Sequence, residues 1–521
     1  MGSGKPSAKP QADASRALVV SGAKGGVGAS MVATNLGIFL AQIGKRVLVV
    51  DLSFTDSCLH AWLGMPRPRL GIADWAAGRV PDLRDAIVET PITGLALLGG
   101  ASGIGVGASS PFSTVGVEDL LQRIRVLGAD YTLLDVPAGL DPAAIEISGL
   151  ADATIAVTVA TPDAVESTYR FFAAIYLARA RRAAAREGAA AVVDELSQRP
   201  GRPPAPREVI RALAAAAPAL GEEVRGIAAA LHPQLIVNQT RIKADEQLGE
   251  AMVSAAFRWL GVAPRLLGEI GWDDNVWLSL RRGLPLLVEF PRSRACRDLE
   301  LIVRRLLGVD GRDLQAPVPI PPATADQNLY ELLEIYPGAS EEEVRRARKQ
   351  IREWYGPDAL AGRGACSEAE RAEYVQKTEE AHATLLDRSK RREYDRRVFP
   401  NGFPSAHESP ANLRDSIAGP VTATRDSLPA VEIADGQIVD GAFLGRIRRE
   451  RGVELVDICN RAKISMAYLK AIEEERFADL PEAVFTRGFV TEFARFLKID
   501  AQRAARDFMA KYDTARSIAA R

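Results

Sequence analysis

Near its N-terminus the sequence contains a glycine-rich stretch, SGAKGGVGASM, at residues 21–31. Gly22 and Gly28 have the spacing of the phosphate-binding pattern G-x-x-x-x-G-K-[ST], and Ser30 fills its Ser/Thr position. Such a loop binds an anion through backbone N–H groups and the N-terminus of the following helix. The lysine position holds Ala29. The pattern therefore predicts a phosphate site without its main cation.

Three further residues stand where a nucleotide site would need them. Lys24 lies two residues after Gly22, and Asp51 ends the second apolar run. Asp135 ends another apolar run, in LLDVPAG, where an acid on the Mg²⁺ side of a phosphate site belongs. A plain glycine-rich turn is the competing interpretation, and these three positions argue against it.

The elements that must position these residues alternate between short apolar runs and helical stretches, such as Met31–Gly44. Continuous apolar runs are typical of strands buried on both faces of a parallel sheet. The alternation predicts a doubly wound α/β fold with the loop between its first strand and first helix. The predicted strands are Ala17–Val20, Arg46–Asp51, Tyr131–Pro137, Ala153–Ala160 and Pro233–Gln239.

This large body, residues 16–309, resembles the MinD/ParA family of deviant Walker A ATPases, whose loop reads K-G-G-x-G-K-[ST]. The segment 267–295 resembles the late segment of the MinD and FlhG branch. The resemblance implies that ATP or ADP binds with Mg²⁺, and that two copies face each other as a dimer. It also implies a set of nucleotide-binding positions: Gly22, Lys24, Gly25, Gly26, Val27, Gly28, Ala29, Ser30 and Asn238.

The resemblance gives individual roles to several of these residues. Lys24 matches the signature lysine that reaches the partner subunit's nucleotide, and Asn238 matches the asparagine that contacts adenine. Ser30 and Asp135 match the Mg²⁺ side of the site, and Lys24, Asp51 and Asp135 match the catalytic positions.

Two departures from the family pattern concern catalysis. Ala29 replaces the loop lysine, and the family's D-x-D reads Asp51-Leu52-Ser53, so the acid that helps handle the attacking water is replaced. Phosphoryl transfer depends on positioning and charge stabilisation. One charged hydrogen bond contributes about 1.5–3 kcal/mol, or roughly 10–100-fold in affinity. We therefore expect weak nucleotide binding and a pseudo-ATPase.

A middle body, residues 327–398, resembles the J-domain of the DnaJ family. Ser340 and Glu343 form a capping box at the start of a helix with a basic face of arginines and a lysine. The family stimulates DnaK-type chaperones through a His-Pro-Asp loop, which here reads Gly356-Pro357-Asp358. The resemblance thus implies a retained fold without co-chaperone activity. An unrelated helical hairpin is the alternative.

The last body, residues 438–513, has apolar residues at helical spacing and turns at Gly452 and residues 463–465. It resembles the cytoplasmic helix-turn-helix domain of RodZ, which acts on the actin-like protein MreB. Binding to DNA is the alternative. The body is only mildly basic, and the helix at the recognition position contains Glu473–Glu475, which would oppose phosphates. A protein partner is therefore favoured. Tyr468, Phe477, Phe485 and Phe489 are either interface anchors or, as we favour, core residues.

Composition and linker segments give further information about the 521-residue chain. Lys plus Arg and Asp plus Glu nearly balance, so net charge indicates no partner. The scattered cysteines favour a reducing compartment, and the sequence has neither a signal peptide nor a membrane span, which predicts a cytoplasmic protein. We predict a tail at 1–15, an insertion at about 163–232, a Pro-rich linker at 310–326, a flexible linker at 399–437 and a tail at 514–521.

Together these features predict a bacterial positioning or polarity adaptor. A degenerate nucleotide-binding body would dimerise or cap another MinD/ParA ATPase, and the two helical bodies would recruit proteins such as MreB-like filaments. A slow, partner-activated ATPase is one alternative, in which another cation replaces the missing lysine. A DNA-binding transcription or partition regulator is the other.

Overall fold

The computed structural model forms two compact units, Met1–Gly419 and Pro420–Arg521. The structure describes residues 15–54, 57–100, 115–199, 202–308, 327–400, 402–403, 439–451, 455, 458, 466–477, 480 and 483–519. The predicted linker at 310–326, most of the predicted tail at 1–15 and most of the linker at 399–437 lie outside these residues. So do the turns predicted at Gly452 and 463–465.

The first unit is built on one eight-stranded sheet with the order β3-β4-β2-β5-β1-β6-β7-β8. All neighbours run parallel except β3 and β4, which are antiparallel. The predicted doubly wound α/β fold is confirmed. The strands are β1 Arg16–Gly22, β2 Val47–Asp51, β3 Ile87–Glu89, β4 Leu95–Leu98, β5 Tyr131–Asp135, β6 Ala153–Val159, β7 Gln234–Thr240 and β8 Arg265–Gly271.

Helices connect these strands and cover both faces of the sheet. Those of the sheet domain are α1 Ala29–Gln42, α2 Leu59–Trp62, α3 Ile72–Ala76, α4 Val117–Arg125, α5 Pro142–Leu150, α6 Pro162–Arg186, α7 Ala190–Ser197, α8 Pro206–Ala216, α9 Pro218–Ala229, α10 Lys243–Ala255, α11 Asp274–Arg282, α12 Leu286–Glu289 and α13 Arg294–Gly308. A π-helical turn, Ala256–Leu260, extends α10.

The central strand shows why the sequence folds this way. Leu18 and Val20 of β1 are fully buried in the core that contains α1 and α13, whereas Ala17 and Val19 face the core beneath α4 and α5. A strand with apolar residues at every position is stable only when both faces are covered. The carboxyl ends of these parallel strands therefore share one edge, where the glycine-rich loop follows β1.

The predicted insertion consists of the four helices α6 to α9. Long α6 contributes fully buried aromatic residues, including Tyr169, Phe172 and Tyr176, to the core of the sheet domain. This helix therefore packs within the protein. Among the described residues, no helix is long and apolar enough to cross a membrane.

The J-like body completes the first unit. It contains α14 Leu329–Leu332, α15 Glu341–Tyr355, α16 Glu368–Leu386 and α17 Arg388–Val398. The capping box predicted at Ser340 and Glu343 is present. Phe399 and Phe403, placed by the sequence in the second linker, instead pack against Tyr330 with ring centroids 6.0 and 6.2 Å away.

The second unit is a small helical domain. Its described helices are α18 Gly441–Glu450, α19 Met466–Glu473, α20 Ala483–Phe496 and α21 Ala501–Ala519. α21 continues through most of the segment predicted as the tail 514–521. Phe493, Phe508 and Tyr512 lie in its buried core.

Candidate nucleotide site

The glycine-rich loop joins the end of β1 to the start of α1, as the sequence predicts. Gly26 and Gly28 have φ angles of 82° and 91°, in the region that only glycine enters without strain. Gly28 is the N-cap of α1, and no side chain caps this helix. The N–H groups of its first turn are therefore available to an anion, which fits a phosphate group.

Asn238 holds the loop from strand β7, which lies two strands away from β1 in the sheet. Its Nδ2 donates to the carbonyl oxygen of Val27 over 2.8 Å, and its Oδ1 accepts from the backbone N–H of Gln239 over 2.9 Å. A Cβ atom at Gly28 would lie 2.4 Å from Asn238 Nδ2. Asn238, which was predicted to contact adenine, is thus buried and supports the loop.

Lys24 forms an ion pair within its own chain. Its Nζ donates to Asp163 Oδ2, in the first turn of α6, and the two side chains are 46% and 57% exposed. An ion pair this exposed contributes at most about 1 kcal/mol. Lys24 is therefore held by a contact weak enough to yield to a phosphate.

Ser30 and Asp135 meet at the start of α1 and the end of β5. The Ser30 side chain hydrogen-bonds Asp135, which is buried. Burial raises the pKa of Asp135 to about 7, opposed by the Ser30 hydrogen bond and supported by the nearby charge of Asp51. A hydroxyl and a carboxylate are oxygen ligands of the kind Mg²⁺ prefers, so the pair fits the metal implied by the resemblance.

Asp51 is occupied by the segment that follows it. Its Oδ2 accepts from Ser57 Oγ over 2.7 Å and from the N–H groups of Cys58 and Leu59 over 2.9 and 3.2 Å. Its Oδ1 accepts from the N–H of Ser53 over 3.0 Å. Burial nevertheless raises the pKa of Asp51, against these hydrogen bonds. Of the three predicted catalytic residues, Asp51 is the one most clearly bound in a structural network.

The degenerate His-Pro-Asp loop follows α15 in the J-like body. Pro357 and Asp358 are exposed, and Gly356 caps the helix. A Cβ atom at Gly356 would lie 2.6 Å from the carbonyl oxygen of Arg352. A histidine at this position would therefore require the last turn of α15 to move.

The sequence did not predict that the J-like body docks on the sheet domain. The contact centres on the π-helical turn, where Arg258 donates to Glu334 Oε1 over 2.8 Å and stacks 4.0 Å from the centroid of Tyr374. Trp259 meets Tyr355 edge-on at 4.9 Å, and the Tyr355 hydroxyl hydrogen-bonds Ser254 over 2.7 Å. Buried aromatic residues and a buried charge pair join the two bodies.

In the second unit, the glutamates at the recognition position are ion-paired. Glu473 accepts from Arg448 Nε over 2.6 Å, with both side chains largely buried. Glu475 pairs with Lys511, and Glu474 with Arg476. The charge that we expected to repel DNA is therefore partly neutralised.

The aromatic residues of this unit pack together, as we favoured. Tyr468 stacks on Phe489 at 5.5 Å, and Phe477 meets Phe508 at 5.6 Å. The Phe485 side chain lies outside the described residues.

Three protein-family models match parts of this chain. Residues 13–173 match a family described as NUBPL iron-transfer P-loop NTPase, of the ParA type. The first part of the chain is a ParA-like P-loop NTPase domain. Residues 328–395 match the DnaJ domain, and residues 443–504 match a helix-turn-helix domain. The resemblances to a MinD/ParA body, a J-domain and a helix-turn-helix domain are confirmed.

Individual relatives match between a quarter and a third of this chain. The chromosome partitioning protein ParA of Caulobacter vibrioides is 31% identical over 144 residues, covering 26% of this chain and 54% of the relative. The antiactivator FleN of Pseudomonas aeruginosa is 28% identical over 153 residues, covering 29% of this chain and 53% of the relative. The chain thus spans about half the length of these curated relatives.

Solved structures include two MinD proteins. The cell division ATPase MinD of Pyrococcus furiosus is 18% identical, with a TM-score of 0.39, and the match covers 56% of this chain and 99% of that one. MinD of Pyrococcus horikoshii, solved with Mg-ADP, is 19% identical with a TM-score of 0.39, covering 57% and 98%.

Proposed function

We propose that the protein is a positioning adaptor whose NTPase domain binds ATP or ADP with Mg²⁺ weakly and hydrolyses ATP very slowly. One observation carries the proposal: Ala29 leaves the loop without its lysine, while Lys24, the remaining loop cation, is bound to Asp163. The site keeps the amides, Ser30 and Asp135 that would hold a nucleotide and its metal. The site has lost the positive charge of the loop lysine, which would stabilise the transition state of phosphoryl transfer.

Nucleotide titration of the full chain tests the binding half of this proposal. Ala29→Lys restores the cation and should tighten Mg-ADP binding by roughly 10–100-fold, because one charged hydrogen bond is regained. Asp135→Ala is the matched loss variant and should weaken binding further. Equal affinity of wild type and Ala29→Lys would show that Ala29 does not limit binding.

The adaptor role rests on the two helical domains. It is also supported by two relatives, which are a chromosome partitioning protein and an antiactivator. Here, the DnaJ and helix-turn-helix domains would recruit protein partners, with an MreB-like filament or another MinD/ParA ATPase as the proposed classes. In a homodimer, Lys24 would leave Asp163 and reach the nucleotide bound to the partner subunit. We further propose a bacterial, cytoplasmic setting and a scaffold role in cell polarity.

DNA binding is the second candidate function for the helix-turn-helix domain. The ion pairs of Glu473, Glu474 and Glu475 favour it, because they reduce the negative charge that a DNA backbone would meet. Pull-down of a purified MreB-like filament and titration with duplex DNA should be run on the same full-length protein. Filament binding without salt-sensitive DNA binding is the result we expect. A steep salt dependence of DNA binding, without filament binding, would favour a regulator.

A partner-activated ATPase is the other candidate. Its supporting observation is the exposure of the Lys24–Asp163 pair, which a partner could displace. Stimulation of hydrolysis by an added binding partner would support it.

A further inference from the structure

Helix α6 contacts the glycine-rich loop and the docked DnaJ domain on successive turns. Asp163, in its first turn, holds Lys24. One turn later, Glu166 packs against Gly364 of the DnaJ domain, so closely that a Cβ atom at Gly364 would lie 2.9 Å from Glu166 Cα. After another turn, the hydroxyl of Tyr169 donates to the carbonyl oxygen of Ala361 over 2.6 Å. Residues three apart share one face of a helix.

The DnaJ contact is tight and buried where it meets α6. Tyr169 has no exposed surface, and its hydroxyl bridges two bodies far apart in sequence. Gly364 has a φ of 79°, a conformation suited to glycine, and the absence of a side chain lets its backbone approach the helix. A cavity of about 360 Å³ beside this contact is lined by Asp163, Glu166, Arg363 and other residues. The DnaJ domain therefore lies beside the first turn of α6, which contains Asp163, the ion-pair partner of Lys24.

We propose that the docked DnaJ domain positions α6 so that Asp163 keeps Lys24 away from the phosphate site. Asp163 is a positioning residue, and the DnaJ domain is an intramolecular inhibitor of anion binding at the loop. Release of Lys24 and loosening of the Gly364 contact are then coupled, and by linkage a bound nucleotide loosens the DnaJ contact. This inference rests on the proposed function, because it makes Lys24 a ligand-binding cation.

The rate at which Lys24 is acetylated tests, without any nucleotide, whether release of Lys24 is coupled to the Gly364 contact. The full-length protein is treated with an amine-acetylating reagent, and labelling rates are read by mass spectrometry, with exposed Lys45 as the internal reference. The reagent reacts only with the neutral amine, so the Lys24 ammonium group must leave its carboxylate and lose its proton before it is acetylated. Gly364→Ala should therefore label at Lys24 about threefold faster than wild type, within the roughly fivefold that an exposed ion pair allows.

Two variants make the test specific. Gly188→Ala is the matched control, because Gly188 follows the other end of α6, has a φ of 71° and would place its Cβ in open space. Asp163→Asn should raise Lys24 labelling by itself, and adding Gly364→Ala should cause no further rise, as for two changes acting on one interaction. Equal labelling in Gly364→Ala and Gly188→Ala, or additive effects in the double variant, would overturn the proposal.

A Mg-ADP titration of the same variants separates this inference from the proposed function. We expect Gly364→Ala and Asp163→Asn each to tighten binding about threefold relative to Gly188→Ala. If labelling changes as described while none of the variants binds Mg-ADP, the coupling stands and the proposed nucleotide function fails. If Mg-ADP binds equally to all variants and labelling is unchanged, the nucleotide function stands and the coupling fails.

Discussion

Arg258 Nη2 lies 2.8 Å from Glu334 Oε1, and this ion pair joins the NTPase domain to the DnaJ domain with side chains only 5% and 15% exposed. Ser254 Oγ also donates to Glu334, over 2.6 Å. A buried pair of this kind is costly to break, because the surviving charge is left without a partner in a medium of low dielectric constant. The two domains should therefore behave as one body.

Glu334→Ala should lower the free energy of unfolding by about 3–5 kcal/mol, since it leaves the Arg258 guanidinium buried without its carboxylate. The matched control is Glu342→Ala, which removes an ion pair with Arg346 whose side chains are 73% and 79% exposed. That change should cost less than about 0.5 kcal/mol. Denaturant unfolding followed by tryptophan fluorescence measures both. Similar losses in the two variants would mean that the buried interdomain pair contributes no more to stability than an exposed ion pair.

Gly28→Ala should destabilise the loop more than Gly26→Ala. Both glycines have positive φ, so each alanine introduces backbone strain of about 1 kcal/mol. Only the Gly28 substitution also drives a methyl group against Asn238 Nδ2, whereas a Cβ at Gly26 meets nothing within 4 Å. Thermal unfolding and Mg-ADP titration should both rank Gly28→Ala as the more damaged variant. The reverse ranking would show that Asn238 does not support the loop.

Part of the pH dependence of the free energy of unfolding should come from the ionisation of Asp135. Its folded pKa of about 7 lies above the ordinary value of 3.8, so between these values the folded protein binds more protons than the unfolded chain. The contribution of Asp135 is therefore fully present below pH 3.8 and is lost as the pH rises towards 7, by up to about 1.4 kcal/mol per pH unit. Asp135→Asn should remove this fall. Unfolding of both proteins at pH 5, 6, 7 and 8 measures the difference, and parallel curves would contradict the assignment.

Mg²⁺ binding should show the opposite trend with pH. A metal ligand must be ionised, so Mg²⁺ affinity should rise between pH 6 and 8 in the wild type. Asp135→Asn should bind Mg²⁺ weakly throughout this range. A pH-independent Mg²⁺ affinity in the wild type would show that Asp135 is not a ligand.

The DnaJ domain should not stimulate a DnaK-type ATPase. Gly356 supplies no imidazole, and a Cβ at this position would meet the Arg352 carbonyl oxygen, so Gly356→His should restore little activity. Single-turnover ATP hydrolysis by a DnaK-type chaperone, with and without the protein, measures this. Stimulation by the natural sequence would show that the loop has kept its function.

The sequence predicted the parts of the fold that follow from local pattern. All five predicted strands exist, because short continuous apolar runs suit strands that are buried on both faces of a parallel sheet. It missed β3, a three-residue strand at the sheet edge, and β4, a four-residue strand beside it. It also missed β8, whose run is interrupted by Gly268 and Glu269. These strands depend on neighbours rather than on their own periodicity.

For the site, sequence reasoning identified the loop and its acids but not their partners. The acid that binds Lys24 lies 139 residues away in sequence, and Arg258 meets Glu334 across 76 residues. No spacing rule could pair them. The aromatic residues Trp259, Tyr355 and Tyr374 offered a signal, since their burial needs a shared core, but only the fold shows which surfaces meet.

Steady-state ATP hydrolysis by the full-length protein distinguishes a nucleotide-binding adaptor from an active ATPase. With saturating Mg-ATP, the wild type should turn over at the background rate of Asp135→Ala, because the loop lacks its lysine and Lys24 is held by Asp163. Ala29→Lys serves as the comparator that regains loop charge. Robust wild-type turnover that Asp135→Ala abolishes would contradict the account and identify an active ATPase.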